Sequence, residues 1–276
     1  MLENKRIGLL GAGVMAEVIA SGLARSKLVQ PADIVMTHYR QDRLDELQDR
    51  LGVEGSLKNR EAYERCHIVV LCVRPQAMTT VLDEISPVLR GDVLLVSIAA
   101  GLPISFYERR LGRDIPFVRA MPTFFGRIKA GTTGLALNRH TSAEHLALVS
   151  RLFDTVSAHV VVMPEDEIDA FTTFGSTTTA TVYVLLDALI TAGSLVGLRH
   201  QASHSRAIEQ VVAAAQNVVA SDKLPSQLLD EICTPGGVTV EGVKVLEEKA
   251  MRGTVIEGVL AATERARDLR RASGTE

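Results

Sequence analysis

The stretch KRIGLLGAGVMAEVIASGLARSK, residues 5–27, decides how the rest of the chain is read. It opens on a short apolar strand, turns through Gly11-Ala12-Gly13-Val14-Met15-Ala16, and runs on as a helix. GxGxxA between a strand and a helix has a mechanical meaning. Gly11 permits the tight turn, Gly13 lets backbone approach a pyrophosphate, and Ala16 allows close helix–strand packing. A helix starting there offers unpaired N–H groups and the positive end of its dipole to phosphate. Gly11, Gly13, Val14, Met15 and Ala16 are therefore the expected phosphate loop of a dinucleotide site.

Working outward, the first half keeps alternating. DIVMTHY, HIVVLCV, DVLLVSIAA, PFVRAM and AHVVVM read as further strands, with RQDRLDELQDRL and PQAMTTVLDEISPVL as helices between them. Continuous apolar runs, rather than alternating ones, mark strands covered on both faces. Strand–helix–strand repetition predicts a parallel sheet. The pattern changes at Pro164, beyond which no good strand is found. Helices are expected over Glu165 to Phe174, Ala180 to Val196, His200 to Ala220, Ser226 to Ile232, Val240 to Ala250 and Thr254 to Arg271. The fold class is thus an α/β Rossmann domain, residues 1–163, followed by an all-helical domain, 164–276, whose last residues read as a frayed tail.

Bulk composition narrows the function. Of the 276 residues, 46% are hydrophobic and 23% charged, which suits a packed core. A net charge of −3, few aromatic residues and no Trp argue against a nucleic-acid partner. Ala180 to Leu198 is long enough to suggest a membrane span, but Asp187 stands at its centre without a flanking basic cluster. It reads as a helix buried in protein or between subunits, so no membrane partner is expected. The N-terminus lacks the form of a signal peptide, and the three cysteines (Cys66, Cys72, Cys233) form no CxxC pair. They read as buried apolar thiols of a cytoplasmic protein.

The second strand bears on the choice of dinucleotide. NAD enzymes place an acid at its end to bind the ribose hydroxyls. Here the strand runs into His38-Tyr39-Arg40-Gln41-Asp42-Arg43. No acid ends the strand, and Arg40 and Arg43 suit a 2′-phosphate. Asp42 is the counter-indication, lying past the strand. NADP is the expected cofactor, with NAD as the alternative.

Further segments follow in order: Val73-Arg74-Pro75-Gln76, Ser97-Ile98-Ala99-Ala100-Gly101, Arg119-Ala120-Met121-Pro122, and CTPGGVTVEGVKVLEEKAMRG from Cys233. In this order the chain resembles the pyrroline-5-carboxylate reductase family across nearly its whole length. The resemblance implies NAD(P)H-dependent reduction of a cyclic imino acid, with helical domains that pair as homodimers and build larger rings of dimers. It implies that Arg40 meets NADP, that Val73, Arg74 and Pro75 lie along the cofactor, and that Ala99, Ala100, Met121 and Pro122 lie near the nicotinamide. It matches Thr239 to a threonine facing the substrate, and sets Thr177 where the family has a serine.

The late glycine turn has its own physical reading. Pro235-Gly236-Gly237 breaks one helix as another begins, and free N–H groups at Gly237, Val238 and Thr239 favour a carboxylate. Gly236, Gly237 and Val238 are accordingly expected to bind substrate, Thr177 joins them as the resemblance implies, and Thr239 is the expected catalytic residue. A hydroxyl beside the imine nitrogen helps deliver a proton while the cofactor delivers hydride.

Two segments depart from the family pattern. Thr123 stands where the family has the asparagine of MPN, ahead of Phe124, Phe125 and Arg127. Gly175 to Thr181 (GSTTTAT) replaces SGSGPAY, putting hydroxyls where glycines, a proline and a tyrosine are expected. Two alternatives follow. One is another nicotinamide-dependent dehydrogenase of the 3-hydroxyacid type, which would need a catalytic lysine; Lys223, Lys244 and Lys249 are in unpromising settings. The other is a non-catalytic dinucleotide-binding oligomer. No metal site is expected, since His200 and His204 share a helix face without a third ligand.

Overall fold

The computed structural model describes residues 2, 4–112, 114–123, 126 and 128–272, the last four by backbone alone. Phe124, Phe125, Arg127 and the tail from Ser273 lie outside the described residues. Two compact units form. One comprises residues 1–173 with 265–276, the other Phe174–Glu264.

The first unit is built on an eight-stranded sheet in the order β3-β2-β1-β4-β5-β6-β7-β8. The strands are β1 Ile7–Leu10, β2 Ile34–Thr37, β3 Glu54–Ser56, β4 Ile68–Leu71, β5 Leu94–Ser97, β6 Phe117–Pro122, β7 Thr132–Leu137 and β8 His159–Val162. The sheet is not wholly parallel as expected: β7 returns antiparallel to β6, pairing Met121 with Gly134. Two strands, β3 and β7, were not anticipated from the sequence. β3 is three residues long and largely polar. β7 carries its glycine and threonines among apolar neighbours.

Strand residues divide by alternation between two cores. Ile7, Leu9, Met36, Ile68, Val70, Leu94, Val96, Val118 and Ala120 face one. Leu10, Val35, Val69, Leu71, Leu95, Phe117 and Met121 face the other. A period of two with both sets apolar is what a doubly covered sheet requires. Helix α1, Val14–Ser26, covers the first face with Ala16, Ile19, Ala20 and Leu23. There α6, Ala143–Phe153, joins it; its start is a reciprocal cap between Ser142 and His145. Helices α3 Asn59–Glu64, α4 Pro75–Ile85 and α5 Ile104–Leu111 cover the second face. Helix α2, Gln41–Leu51, lies after β2 and inserts Leu47 into the first core.

Helix α7 runs unbroken from Glu165 to Leu195. The helices expected from the sequence leave a gap over residues 175–179, where glycine and consecutive threonines have low helix propensity. The threonines accommodate the helix by bonding backward: Thr179 Oγ1 donates to the Gly175 carbonyl at 2.8 Å and Thr181 Oγ1 to Thr177 at 2.9 Å. The expected change of domain at 163/164 falls just before this helix begins, while the compact units part within it, between Thr173 and Phe174.

The second unit holds the rest of α7, then α8 His200–Ala220, α9 Pro225–Ile232, α10 Val238–Glu248 and most of α11, Met251–Ala272. Helices α7 and α8 touch where Gly193 meets Ser203, whose hydroxyl donates to the Ile190 carbonyl at 2.6 Å. Helix α7 is long and apolar enough, by length and composition, to cross a membrane. It is not buried within the chain as the sequence reading allowed: Ile168 is its one buried residue. Of the cysteines, Cys66 is fully buried, which pushes its thiol up to about 11, whereas Cys72 and Cys233 are half-buried.

Candidate active site

The parallel register brings five loops to one edge of the sheet. Leu10 lies level with Thr37 and Leu71, Leu71 with Ser97, and Ser97 with Arg119. The turns that follow carry Gly11–Gly13, His38–Arg40, Val73–Arg74 and Ile98–Ala100, with Val14–Met15 and Pro75 opening the next helices and Met121–Pro122 ending β6 itself. Strand β1 stands between β2 and β4, and α1 and α4 leave it and β4 toward opposite faces. That is the switch point at which open α/β sheets bind dinucleotides.

The glycine loop is shaped by its neighbours. Gly11 has φ +104, and a Cβ there would stand 2.8 Å from Val73 Cγ1 and 3.2 Å from the Cys72 carbonyl. Its N–H donates to Thr37 Oγ1 at 3.0 Å, and Thr37 donates in turn to Asn59 Oδ1 at 2.6 Å. Gly13 is the N-cap of α1 in extended conformation, makes no side-chain capping bond, and has open space where a Cβ would be. A cradle of this form, with first-turn N–H groups facing it, suits a pyrophosphate. Ala16 is fully buried, so it supports the loop from beneath.

Elsewhere on this edge, Ala99 and Met121 are buried, Arg74 and Ala100 exposed, and Val73, Pro75 and Pro122 half-buried. Ser97 Oγ receives the Ala99 N–H at 3.2 Å and bonds the Tyr107 hydroxyl at 2.6 Å, holding the SIAAG turn in shape. Burial of Tyr107 pushes its phenol well above the usual range, so it stays neutral. Thr123, the first residue past β6, is engaged across the hairpin: its Oγ1 accepts the Thr132 N–H at 3.1 Å.

The two arginines after β2 are both paired. Arg40 grips Asp42, and Arg43 is held by Glu17 and Glu46. Glu17, with Arg50 as well, thereby ties α1 to α2. Burial raises the Glu17 carboxyl, but the hydrogen bond from Arg43 and the charge of Arg50 outweigh this and hold it below its ordinary value.

Sequence reasoning missed Arg119. It is 1% exposed, pairs with Glu165 at 3.5 Å and more closely with Asp169, and so grips one turn of α7 from β6. Glu165 also accepts the Ile104 N–H at 2.6 Å, at the start of α5. The RAMP and PEDEID segments were each visible in the sequence; their pairing across 50 residues was not.

In the helical unit, Thr234-Pro235-Gly236-Gly237 closes a turn in which the Gly237 N–H donates to the Thr234 carbonyl at 2.9 Å. Pro at the second position and Gly236 at φ +74 in the third make it type II. Gly237 then caps α10 without a side-chain bond. The Gly237 N–H, expected to be free, is therefore taken by the turn, which leaves Val238 and Thr239 as first-turn donors. Thr239 is exposed, and its hydroxyl makes no hydrogen bond among the described residues. Thr177 lies elsewhere: with Ala180, Thr181, Val184, Leu246 and Val255 it lines an apolar cavity of about 660 Å³ between α7, α10 and α11. The cavity lining includes no residue of the Cys233–Thr239 turn.

Comparison with known proteins bears on the same two parts. A family model described as pyrroline-5-carboxylate reductase dimerisation matches residues 165–269. One described as NADP oxidoreductase, coenzyme F420-dependent, matches residues 6–101. The chain is 33% identical to a pyrroline-5-carboxylate reductase of Synechocystis over 96% of its own length and 98% of the relative's. The figure for the Escherichia coli protein of that name is 32%, over 96% and 98%. The chain belongs to the pyrroline-5-carboxylate reductase family. Among solved structures, the Plasmodium falciparum pyrroline carboxylate reductase with NADP bound superposes with a TM-score of 0.87 at 26% identity, covering 97% of this chain and 99% of that one. Membership agrees with the Rossmann fold and helical region read from the sequence. The rival 3-hydroxyacid reading finds no better support in its lysines, since Lys223 is an exposed partner of Glu231. Among the described residues no cluster of three His, Cys, Asp or Glu side chains is placed to hold a metal ion.

Proposed function

We propose that the protein is a cytoplasmic NADPH-dependent reductase of pyrroline-5-carboxylate, forming proline. The observation that carries this is the pair of backbone anion sites, each a glycine turn opening a helix, in a chain of this family. Gly11, Gly13, Val14 and Met15 receive the pyrophosphate, with Ala16 packed beneath and Arg40 toward the 2′-phosphate. Val73, Arg74 and Pro75 run along the dinucleotide, and Ala99, Ala100, Met121 and Pro122 flank its nicotinamide end. NADPH, when bound, supplies the hydride.

The chain's task is positioning. The N–H groups of Val238 and Thr239 hold the imino acid's carboxylate, with Gly236 and Gly237 shaping the turn. The Thr239 hydroxyl, uncommitted among the described residues, hydrogen-bonds the ring nitrogen and keeps the proton there as carbon is reduced. A cyclic imine is readily protonated, so orientation rather than a strong acid carries the acceleration. In the GSTTTAT segment the hydroxyls of Thr179 and Thr181 are spent on carbonyls of their own helix. That segment is consequently less polar than its composition suggests, which removes one argument for a re-specified substrate.

The helical unit supplies the partner surface. Val184 is 72% exposed on the wall of the apolar cavity, and Ile256 and Leu260 are exposed on α11. Contiguous apolar surface of this kind marks an interface, and the matching family model is one of dimerisation. These observations support a homodimer, and a ring of dimers is the larger assembly proposed for it. Val184→Glu is expected to raise the dimer dissociation constant at least about tenfold, because a charge would be trapped in an apolar contact. Sedimentation velocity over a concentration series checks this; an unchanged dimer would remove this face from the interface.

The functional test is NADPH oxidation, followed optically, with pyrroline-5-carboxylate and other cyclic imines. Thr239→Ala is expected to lower kcat about ten- to hundredfold, toward the low end for a positioned proton donor, while NADPH affinity holds. Turnover of a different imine alone would overturn the substrate. No turnover, with NADPH still bound, would favour the non-catalytic reading.

A further inference from the structure

We propose that Asp42 tunes the cofactor preference of this enzyme by competing with the 2′-phosphate for Arg40. The inference rests on the reading of the β1–α1 loop as an NADP site. It adds a residue whose role no family match assigns.

The residue just beyond the second strand of a Rossmann sheet meets the adenosine ribose. Here β2 ends at Thr37, and the following three residues are locally braced. The His38 and Tyr39 rings stack, with centroids 4.3 Å apart. His38 Nδ1 accepts the Arg40 N–H at 3.2 Å. Arg40 is the N-cap of α2, in the turn after β2 where the adenosine ribose of a bound dinucleotide would lie. That guanidinium is already engaged by two of its nitrogens. Nε donates to Asp42 Oδ1 at 3.0 Å, and Nη2 to Oδ2. This is the fork-on-fork contact that a phosphate would also use. The neighbouring cations are committed too: Arg43 to Glu17 and Glu46, Arg50 to Glu17, Lys58 to Glu61.

A 2′-phosphate must either displace the carboxylate from the Nε–Nη2 fork or take the remaining donors on the Nη1 side, and in both cases it lies beside the charge of Asp42. NADH brings only hydroxyls to the same place, which a carboxylate tolerates as an acceptor. Arg40 favours NADPH, Asp42 opposes it, and the preference is the difference. Both side chains are more than half exposed, so the effect is moderate and weakens with salt.

The test is the ratio of dissociation constants for NADH and NADPH, from fluorescence titration of the full-length protein without imine. Asp42→Asn keeps the size of the side chain and removes its charge. It is expected to raise the ratio in favour of NADPH about three- to tenfold at low ionic strength, chiefly through tighter NADPH binding. The gain should shrink in high salt. Arg40→Ala should bring the ratio toward one. If both dinucleotides bind and Asp42→Asn leaves the ratio unchanged, or shifts both constants alike, this inference falls while the functional reading stands. If neither dinucleotide binds the wild type, both fall together.

Discussion

Gly11→Ala is expected to weaken NADPH binding at least about tenfold and to lower stability by about 1–3 kcal/mol. Two causes act at one atom. The residue sits at φ +104, where an L side chain is strained, and the new Cβ would press on Val73 Cγ1 at 2.8 Å and on the Cys72 carbonyl at 3.2 Å. The obstacle includes backbone, so it does not rotate away. Relief requires the β1–α1 and β4–α4 turns to separate, and both lie on the edge that would hold the dinucleotide. Gly13→Ala is the informative partner. Its φ of −78 suits alanine, and among the described residues no atom lies within 4 Å of where its Cβ would be. Stability should hold within about 0.5 kcal/mol, while affinity falls because the methyl occupies the space left for phosphate. Thermal melts and NADPH titrations of the two variants check the contrast. Equal loss of stability in both would refute this account of the loop.

Arg119→Met should cost about 2–4 kcal/mol, roughly 5–12 °C in melting temperature for a chain of this size. The side chain is 1% exposed, so its charge is desolvated and depends on Glu165 and Asp169. Removing it leaves those carboxylates facing a protein wall, though each keeps some exposure (33% and 26%), which is why the lower part of the range for a broken buried pair applies. The Glu165 contact to the Ile104 N–H should loosen as well. Arg119→Lys should fall between, since one ammonium cannot reproduce two contacts made through separate guanidinium nitrogens. Urea denaturation gives the comparison. A Met variant as stable as the wild type would mean that burial of the stem, not the ion pair, anchors the start of α7.

Much of the molecule was legible beforehand. Continuous apolar strands announce a sheet covered on both faces, and the alternation of Leu9 and Leu10 between two cores is its physical cause. Strands β3 and β7 escaped notice because one is short and polar and the other contains residues that also make turns. The unbroken α7 escaped because helix propensity is a weak guide where threonine hydroxyls can bond back to their own helix. In the site, the glycines of both turns were readable, since positive φ at Gly11 and Gly236 demands that residue type.

By itself the sequence determined most of the parallel strands, the change to helices after Pro164, both glycine turns and the family. These are local: periodicity, turn chemistry and motif order need no knowledge of distant neighbours. Only the tertiary structure decided which donors and charges are free. It spends the Gly237 N–H on a turn, locks Arg43 to Glu17, sets Asp42 against Arg40, and buries Arg119 against a helix 50 residues away. Each of these depends on how a backbone turn closes or which side chain stands opposite in space, and the spacing of residues along the chain does not carry that information.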